Sequence, residues 1–424
     1  MYKKVGLLIF IILCLSSTIV NAFVGVQFGT SLVNTSQVSL GEIVVNEGES
    51  IQDAINNATA NDTIRVMSGI YPEQIDVTKP VKLVGEDPAT TIIDGENKNQ
   101  TIVTVLAPNV EIRGFTIQNA GMNSYMTPTG IQIWNNMSTI IRENILRNNF
   151  LSIWLAESNS CQIADNIITD SYTGVLLSDS CFNRIVGNNI KNNVIGVRLS
   201  SLESENNTLF HNNFIDNVSW QVDPTGMGNN TIWDNSAEGN YWSDYAGGDL
   251  DGDGIGDTPY PNEFGWDKYP LMELWSLFRV HGVQWNGQNF NVTTYCNSTV
   301  ASFNFSQSEK QVSFNVTGPS GVLGFCNVTI PKSLLNASSN GWIVFRHSVN
   351  MTDDVVVGEN GTHSSIYFVF SLGKYNVKII GTDVIPEFPT PLFFAMFMIV
   401  TMIATILAKR RDRVDFCNGD STGL

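Results

Sequence analysis

The sequence predicts an all-β protein: a right-handed parallel β-helix, then a β-sandwich, then a C-terminal transmembrane helix. Three observations carry this. First, Gly130-Ile131-Gln132-Ile133, Ser152-Ile153-Trp154-Leu155, Gly174-Val175-Leu176-Leu177 and Gly196-Val197-Arg198-Leu199 recur every 22 residues. Second, Ile141, Ile163 and Ile185 recur at the same interval, each followed three residues later by Asn144, Asn166 and Asn188. Third, short alternating strands fill residues 276–383, ahead of an uncharged apolar run at 391–408. A repeat this short cannot bury its apolar side alone, so neighbouring units stack into one core. The period-2 alternation inside each unit marks strands, and the richness in Asn, Ser and Gly argues against helical hairpins.

Stacking also accounts for the asparagines. Identical residues one coil apart lie about 4.8 Å from each other. Each Asn can then bond the next amide and the turn backbone, and Asn tolerates the left-handed conformation that tight corners need. This register is structural rather than catalytic.

Length and charge narrow the rest. The 424 residues allow two or three domains. A net charge of −17 with only 15% charged residues argues against nucleic acid as a partner. It suits a solvated surface or one that holds cations.

Both ends carry membrane signals. Lys3 and Lys4 precede the apolar run Val5–Leu15, and Val20-Asn21-Ala22 offers small residues for cleavage, so 1–22 read as a signal peptide. Residues 391–408 are long enough to span a bilayer, and Lys409-Arg410-Arg411 follows at once. The positive side is cytoplasmic, which places the tail 409–424 inside and the bulk of the chain outside. Sixteen Asn-x-Ser/Thr sequons, from Asn34 to Asn360, agree with export and with a glycoprotein. Four cysteines remain outside. Cys161 and Cys181 fall about one coil apart and Cys296 and Cys326 share a later domain, so two disulfides are the economical pairing.

Along the chain, 23–42 form a polar N-terminal segment and 43–238 the β-helix with its cap. Ile51, Ala54, Ile55 and Ala58 share one helical face, with Ser50 as N-cap, and such a helix covers the open end of a solenoid. This block, with Asp62–Tyr71 behind it, resembles the amino-terminal cap of pectin-lyase-like proteins. Residues 239–275 form a junction, 276–383 the sandwich, and 384–390 a linker. The stretch from Gly239-Asn240-Tyr241-Trp242 through Asp249–Tyr260 to Asp267-Lys268-Tyr269-Pro270-Leu271 resembles the end of NosD-type β-helix proteins. That resemblance, over about residues 43–275, implies the fold. The family is named for a periplasmic component of copper-site assembly and is abundant among archaeal surface proteins, but the sequence has no His, Met or Cys cluster suited to copper.

Chemistry concentrates in few places. Asp249, Asp251, Asp253 and Asp257 stand at positions 1, 3, 5 and 9 of a calcium-loop pattern, with Gly254 at position 6 and the Ile255 carbonyl for position 7. Hard oxygen ligands favour a structural calcium ion, and the loop is similar to those of dockerins and thrombospondin type 3 repeats. If Ile131, Ile153, Val175 and Val197 point inward, then Gln132, Trp154, Leu176 and Arg198 stack outside, where Gln132, Trp154 and Arg198 are candidates for carbohydrate binding. Glu143 and Asp165 also stack, but no Arg or Lys ladder accompanies them in the sequence, so they read as solvated edge charges. His211, His281, His347 and His363 are scattered, and no catalytic residue is assigned.

Pro386-Glu387-Phe388, the apolar span and the basic cluster resemble the sorting signals processed by archaeosortases, which leaves two outcomes, a processed end or an intact anchor. The reading is a non-catalytic, membrane-anchored surface protein acting in the envelope, in adhesion or in glycan binding, with glycans or envelope proteins as partners. The alternatives are a polysaccharide lyase or hydrolase acting on the lateral face and a copper-site accessory protein.

Overall fold

The computed structural model describes residues 41–201, 203–223, 225, 230–261, 266–337, 341–384 and 398–406. The expected signal peptide and the Pro-Glu-Phe segment lie outside them, as does most of the expected membrane span. Residues 398–406 are helical, and among the described residues no helix is long and apolar enough to cross a membrane.

Each solenoid coil contributes one strand to each of three parallel sheets. One coil reads Ile140–Arg142, Ile145–Asn149 and Leu151–Ala156. The first and second sheets hold eight strands each and the third holds seven. The register follows the 22-residue period: Ile131, Ile153, Val175 and Val197 are successive partners, and all are fully buried. The first sheet supplies Ile112, Ile141, Ile163, Ile185 and Leu209. The second supplies Ile117, Leu146, Ile168, Ile190 and Phe214. Each buried side chain of this size contributes roughly 1.5–3 kcal/mol.

Corners follow the same stacking. Gly114, Glu143, Asp165, Gly187 and His211 occupy equivalent left-handed positions between the first two sheets, with φ between +55° and +80°. The next residues form a one-way amide ladder. Asn144 donates its backbone N–H and Nδ2 to Asn166 Oδ1, Asn166 to Asn188, Asn188 to Asn212, and Asn212 to Asn240, at 2.9–3.2 Å. Side chains thereby pair the corner N–H groups that the strands cannot.

At the start of the solenoid, the helix Ile51–Asn57 buries Ile51, Ala54 and Ile55, and the Ser50 hydroxyl accepts from Asp53 N at 3.1 Å. At the other end an aromatic plug closes the core. Trp242 stacks on Phe214 at 4.4 Å and on Tyr260 at 4.2 Å, and Trp233 stacks on Trp266 at 5.7 Å.

Residues 278–380 form two five-stranded antiparallel sheets around a shared core that includes Val292, Phe314, Val328, Phe368 and Val377. Cys296 and Cys326 are neighbours on adjacent strands and form a disulfide. The expected Cys161–Cys181 bridge is corrected: both are free thiols. Their separation is 20 residues and the coil period is 22. Cys161 therefore faces Asn183, whose Oδ1 accepts its N–H, and Cys181 faces Asn159.

Candidate functional site

Along the outer face of the third sheet, Asp76, Thr104, Gln132, Trp154, Leu176, Arg198 and Asp223 are successive partners. The expected row of Gln132, Trp154 and Arg198 is thus formed, because the inward Ile and Val residues at 131, 153, 175 and 197 leave no other face for them. Trp134 joins it. This ring, two residues after Gln132 and on the same face, is 46% exposed and meets Trp154 edge-on with centroids 6.3 Å apart. Its period-2 relation to Gln132 was the signal available in the sequence. Ala156 and Ser178 succeed it on the following strands and are too small to cover it. Trp154 Nε1 donates to Ser178 Oγ at 3.2 Å, which fixes the indole, and Arg198 pairs with the buried Asp223 at 3.2 Å. The result is two adjacent rings with an amide beside them and a guanidinium beyond Leu176 in the same row.

The acidic loop gathers three carboxylates. Carboxylate oxygens of Asp249, Asp251 and Asp253 lie within 4.8 Å of one another. The Asp249 carboxylate accepts the N–H groups of Gly252, Asp253 and Gly254 at 2.8–3.2 Å, a wrap that the left-handed Gly252 and Gly254 permit. One of the expected ligands lies elsewhere. Asp257 does not join the cluster, and its Oδ2 accepts the Leu250 N–H at 2.8 Å. Ile255 is buried and bridges Leu271 at the solenoid end.

The sandwich holds this loop from outside. Ser302 Oγ and Asn315 Nδ2 donate to Gly252 O at 2.7 and 2.9 Å, and Thr317 Oγ1 donates to Asp253 O at 3.0 Å. The Lys374 ammonium pairs with Asp253 and lies 3.9 Å from Asp251. Repulsion from Asp253 raises the Asp251 carboxyl, and the bond to Asp253 raises the Lys374 ammonium. Three convergent carboxylates fit a hard cation, with Lys374 as its competitor.

A third cluster revises the expectation for Glu143. Arg142 pairs with Glu111 at 2.6 Å and with Glu143, and Arg113 lies 3.9 Å from Glu143. Basic partners are therefore present. Burial, and then the Glu143 charge, raises the Asp165 carboxyl. Arg65, Lys82, Arg113 and Arg142 line a groove of about 420 Å³ beside them. The histidines remain apart: His211 pairs with Glu238 at 3.2 Å and stacks on Trp275, while His281 stacks on Phe303.

Residues 55–247 match the family model of the periplasmic copper-binding protein NosD. The matched segment is the solenoid, which is thus a NosD-like parallel β-helix. No curated protein matches the sequence. Among solved structures, the chain is similar to a pectin methylesterase from Yersinia enterocolitica, at 13% identity and a TM-score of 0.30 over 45% of this chain and 69% of that one. It is also similar to an alginate lyase from Paenibacillus sp. str. FPU-7, at 12% identity and a TM-score of 0.31 over 47% and 76%.

Proposed function

We propose that this NosD-like chain is an exported, membrane-anchored surface protein whose solenoid binds glycan without cleaving it. The observation that carries the reading is the pair of exposed Trp134 and half-buried Trp154 beside Gln132, with Arg198 two coils further along the same row. Aromatic faces stack on sugar rings while amide and guanidinium groups bond their hydroxyls. The coil repeat of about 4.8 Å sets neighbouring side chains at intervals close to the length of one sugar unit. The Cys296–Cys326 disulfide supports an oxidising compartment, and the apolar run at 391–408 with its basic flank supports an anchor. Whether the Pro-Glu-Phe segment is processed is decided by the mass of the mature C-terminus.

The acidic loop is proposed to hold a structural calcium ion through Asp249, Asp251 and Asp253. The ion stiffens the joint between solenoid and sandwich, because the same loop is bonded by Ser302, Asn315 and Thr317.

The test is a glycan array probed with the full chain in detergent, beside the Trp134→Ala/Trp154→Ala variant. Saturable binding that falls at least tenfold in the double variant supports the reading. Equal binding by both proteins, or none by either, sinks it. Polysaccharide cleavage is the second reading, favoured by the Glu143–Asp165 corner beside Arg113 and Arg142. Product release lost in Asp165→Asn would establish it. Copper binding, named for the matched family, draws support here from that match alone, and calorimetric titration with copper decides it.

A further inference from the structure

One face of the sandwich is lined with exposed rings, and a glycosylation sequon stands at its centre. Phe278, Tyr295, Asn327, Tyr367 and Val356 are successive partners across all five strands of one sheet. Phe278 is 54% exposed and Tyr295 46%. Phe325, two residues before Asn327 and so on the same face, lies 5.4 Å from Tyr295 and 6.5 Å from Tyr367 between ring centroids. Thr329, two residues after Asn327, completes the sequon on that face and is followed across the sheet by Ser365. A solvent-facing sheet surface of this kind is ordinarily polar, so a row of two exposed rings, Phe278 and Tyr295, and two half-buried ones, Phe325 and Tyr367, calls for an occupant.

The geometry points to Asn327 as an N-glycosylation site, with the attached sugar as the cover of this face. Its Oδ1 accepts from Ser365 Oγ at 2.6 Å, which orients the amide, while its Nδ2 donates to none of the described residues. Some of the other sequons have committed that nitrogen. Asn136 and Asn217 are buried in the corner ladders and donate to Ala107 O and Ile190 O, and Asn315 donates to Gly252 O. At Asn327 the first sugar would lie between Tyr295 and Tyr367 and over Phe325, its apolar face on the rings. In the transfer, Nδ2 forms a bond to the anomeric carbon of an oligosaccharide carried on a lipid phosphate or pyrophosphate. The anomeric C–O bond breaks, the lipid (pyro)phosphate leaves with the electron pair, and the amide gives up one proton.

The inference rests on the export proposed above and not on ligand binding by the solenoid, so a negative array with an occupied Asn327 separates the two. Glycopeptide mass spectrometry of the full chain from its native membranes tests it. The Asn327 peptide is expected to carry a saccharide mass, with Asn136 and Asn217 bare. An unmodified Asn327 overturns the inference whatever the other sequons carry. Asn327→Gln and Thr329→Ala should both lose that mass, whereas Thr329→Ser keeps it. Thr329→Ala retains the Asn327–Ser365 bond, so it guards against misfolding as the cause. Both unmodified variants should bind more of a hydrophobic dye such as anilinonaphthalene sulfonate than the modified protein. Equal dye binding would refute the packing of sugar on these rings.

Discussion

Asp267 terminates the asparagine ladder that begins at Asn144: its Oδ2 accepts the backbone N–H of Asn240 at 2.6 Å. The same oxygen accepts Trp242 Nε1 at 2.8 Å, and Oδ1 accepts the Tyr269 N–H at 3.0 Å. Every backbone N–H of the ladder asparagines donates toward this end, while each Nδ2 also reaches back to a carbonyl of the coil before. A carboxyl with no N–H to offer, placed where the next amide would stand, therefore closes the series and pins the aromatic plug over the core.

Replacing Asp267 with Ala should destabilise the solenoid by about 3 kcal/mol, since two buried donors and one half-buried donor lose their acceptor. Asp267→Asn keeps an acceptor and should cost less. Burial outweighs the three donors and pushes the Asp267 pKa up from 3.8 to about 7. The sign is that of a raised carboxyl: its contribution is full below about 4 and is lost as pH rises through about 7. Urea midpoints between pH 4 and 8 should fall in the wild type and flatten in Asp267→Asn.

Asn188 lies mid-ladder. Its Oδ1 accepts the N–H and Nδ2 of Asn166, and its own Nδ2 donates to Ile163 O. Asn188→Ala strands these groups in a dry corner and should cost about 2–4 kcal/mol in urea unfolding. A cost below 1 kcal/mol would show that the ladder is dispensable.

His281 gives the sandwich the opposite pH response. Burial and then the Arg279 charge push its pKa down from 6.5 to about 4. A depressed base contributes stability above about 6.5 that is lost as pH falls toward 4. Near-ultraviolet dichroism of the sandwich aromatics, followed in denaturant from pH 8 to 4, should show this loss, and His281→Gln should reduce it.

Calcium at 100 times its dissociation constant should stabilise the junction by about 2.7 kcal/mol. Protease cleavage within 240–270 should slow on adding calcium and recover with chelator, while the coils stay protected. Lys374→Ala removes the competing ammonium and should tighten binding, and Asp253→Asn should abolish the effect. Cleavage indifferent to calcium in all three proteins would remove the cation from the account.

The sequence by itself determined the solenoid. The 22-residue period named the inward Ile and Val ladders, the outward row of Gln132, Trp154 and Arg198 and the asparagine corners, and the helical spacing of Ile51, Ala54, Ile55 and Ala58 named the helix over Ile51–Asn57. These features repeat at fixed spacing, so a local pattern is enough to place them. Tertiary structure decided whatever departs from the period or crosses between domains. Arg113 and Arg142 become neighbours 29 residues apart because residues 122–128 lengthen that coil, and this brings both guanidinium groups to Glu143. Cys161 and Cys181 miss each other by two residues of register. Lys374 reaches Asp253 across 121 residues because the sandwich docks on the loop at the end of the solenoid. A periodic pattern encodes only the neighbour one coil away, whereas insertions and domain docking choose partners through geometry that no local spacing contains.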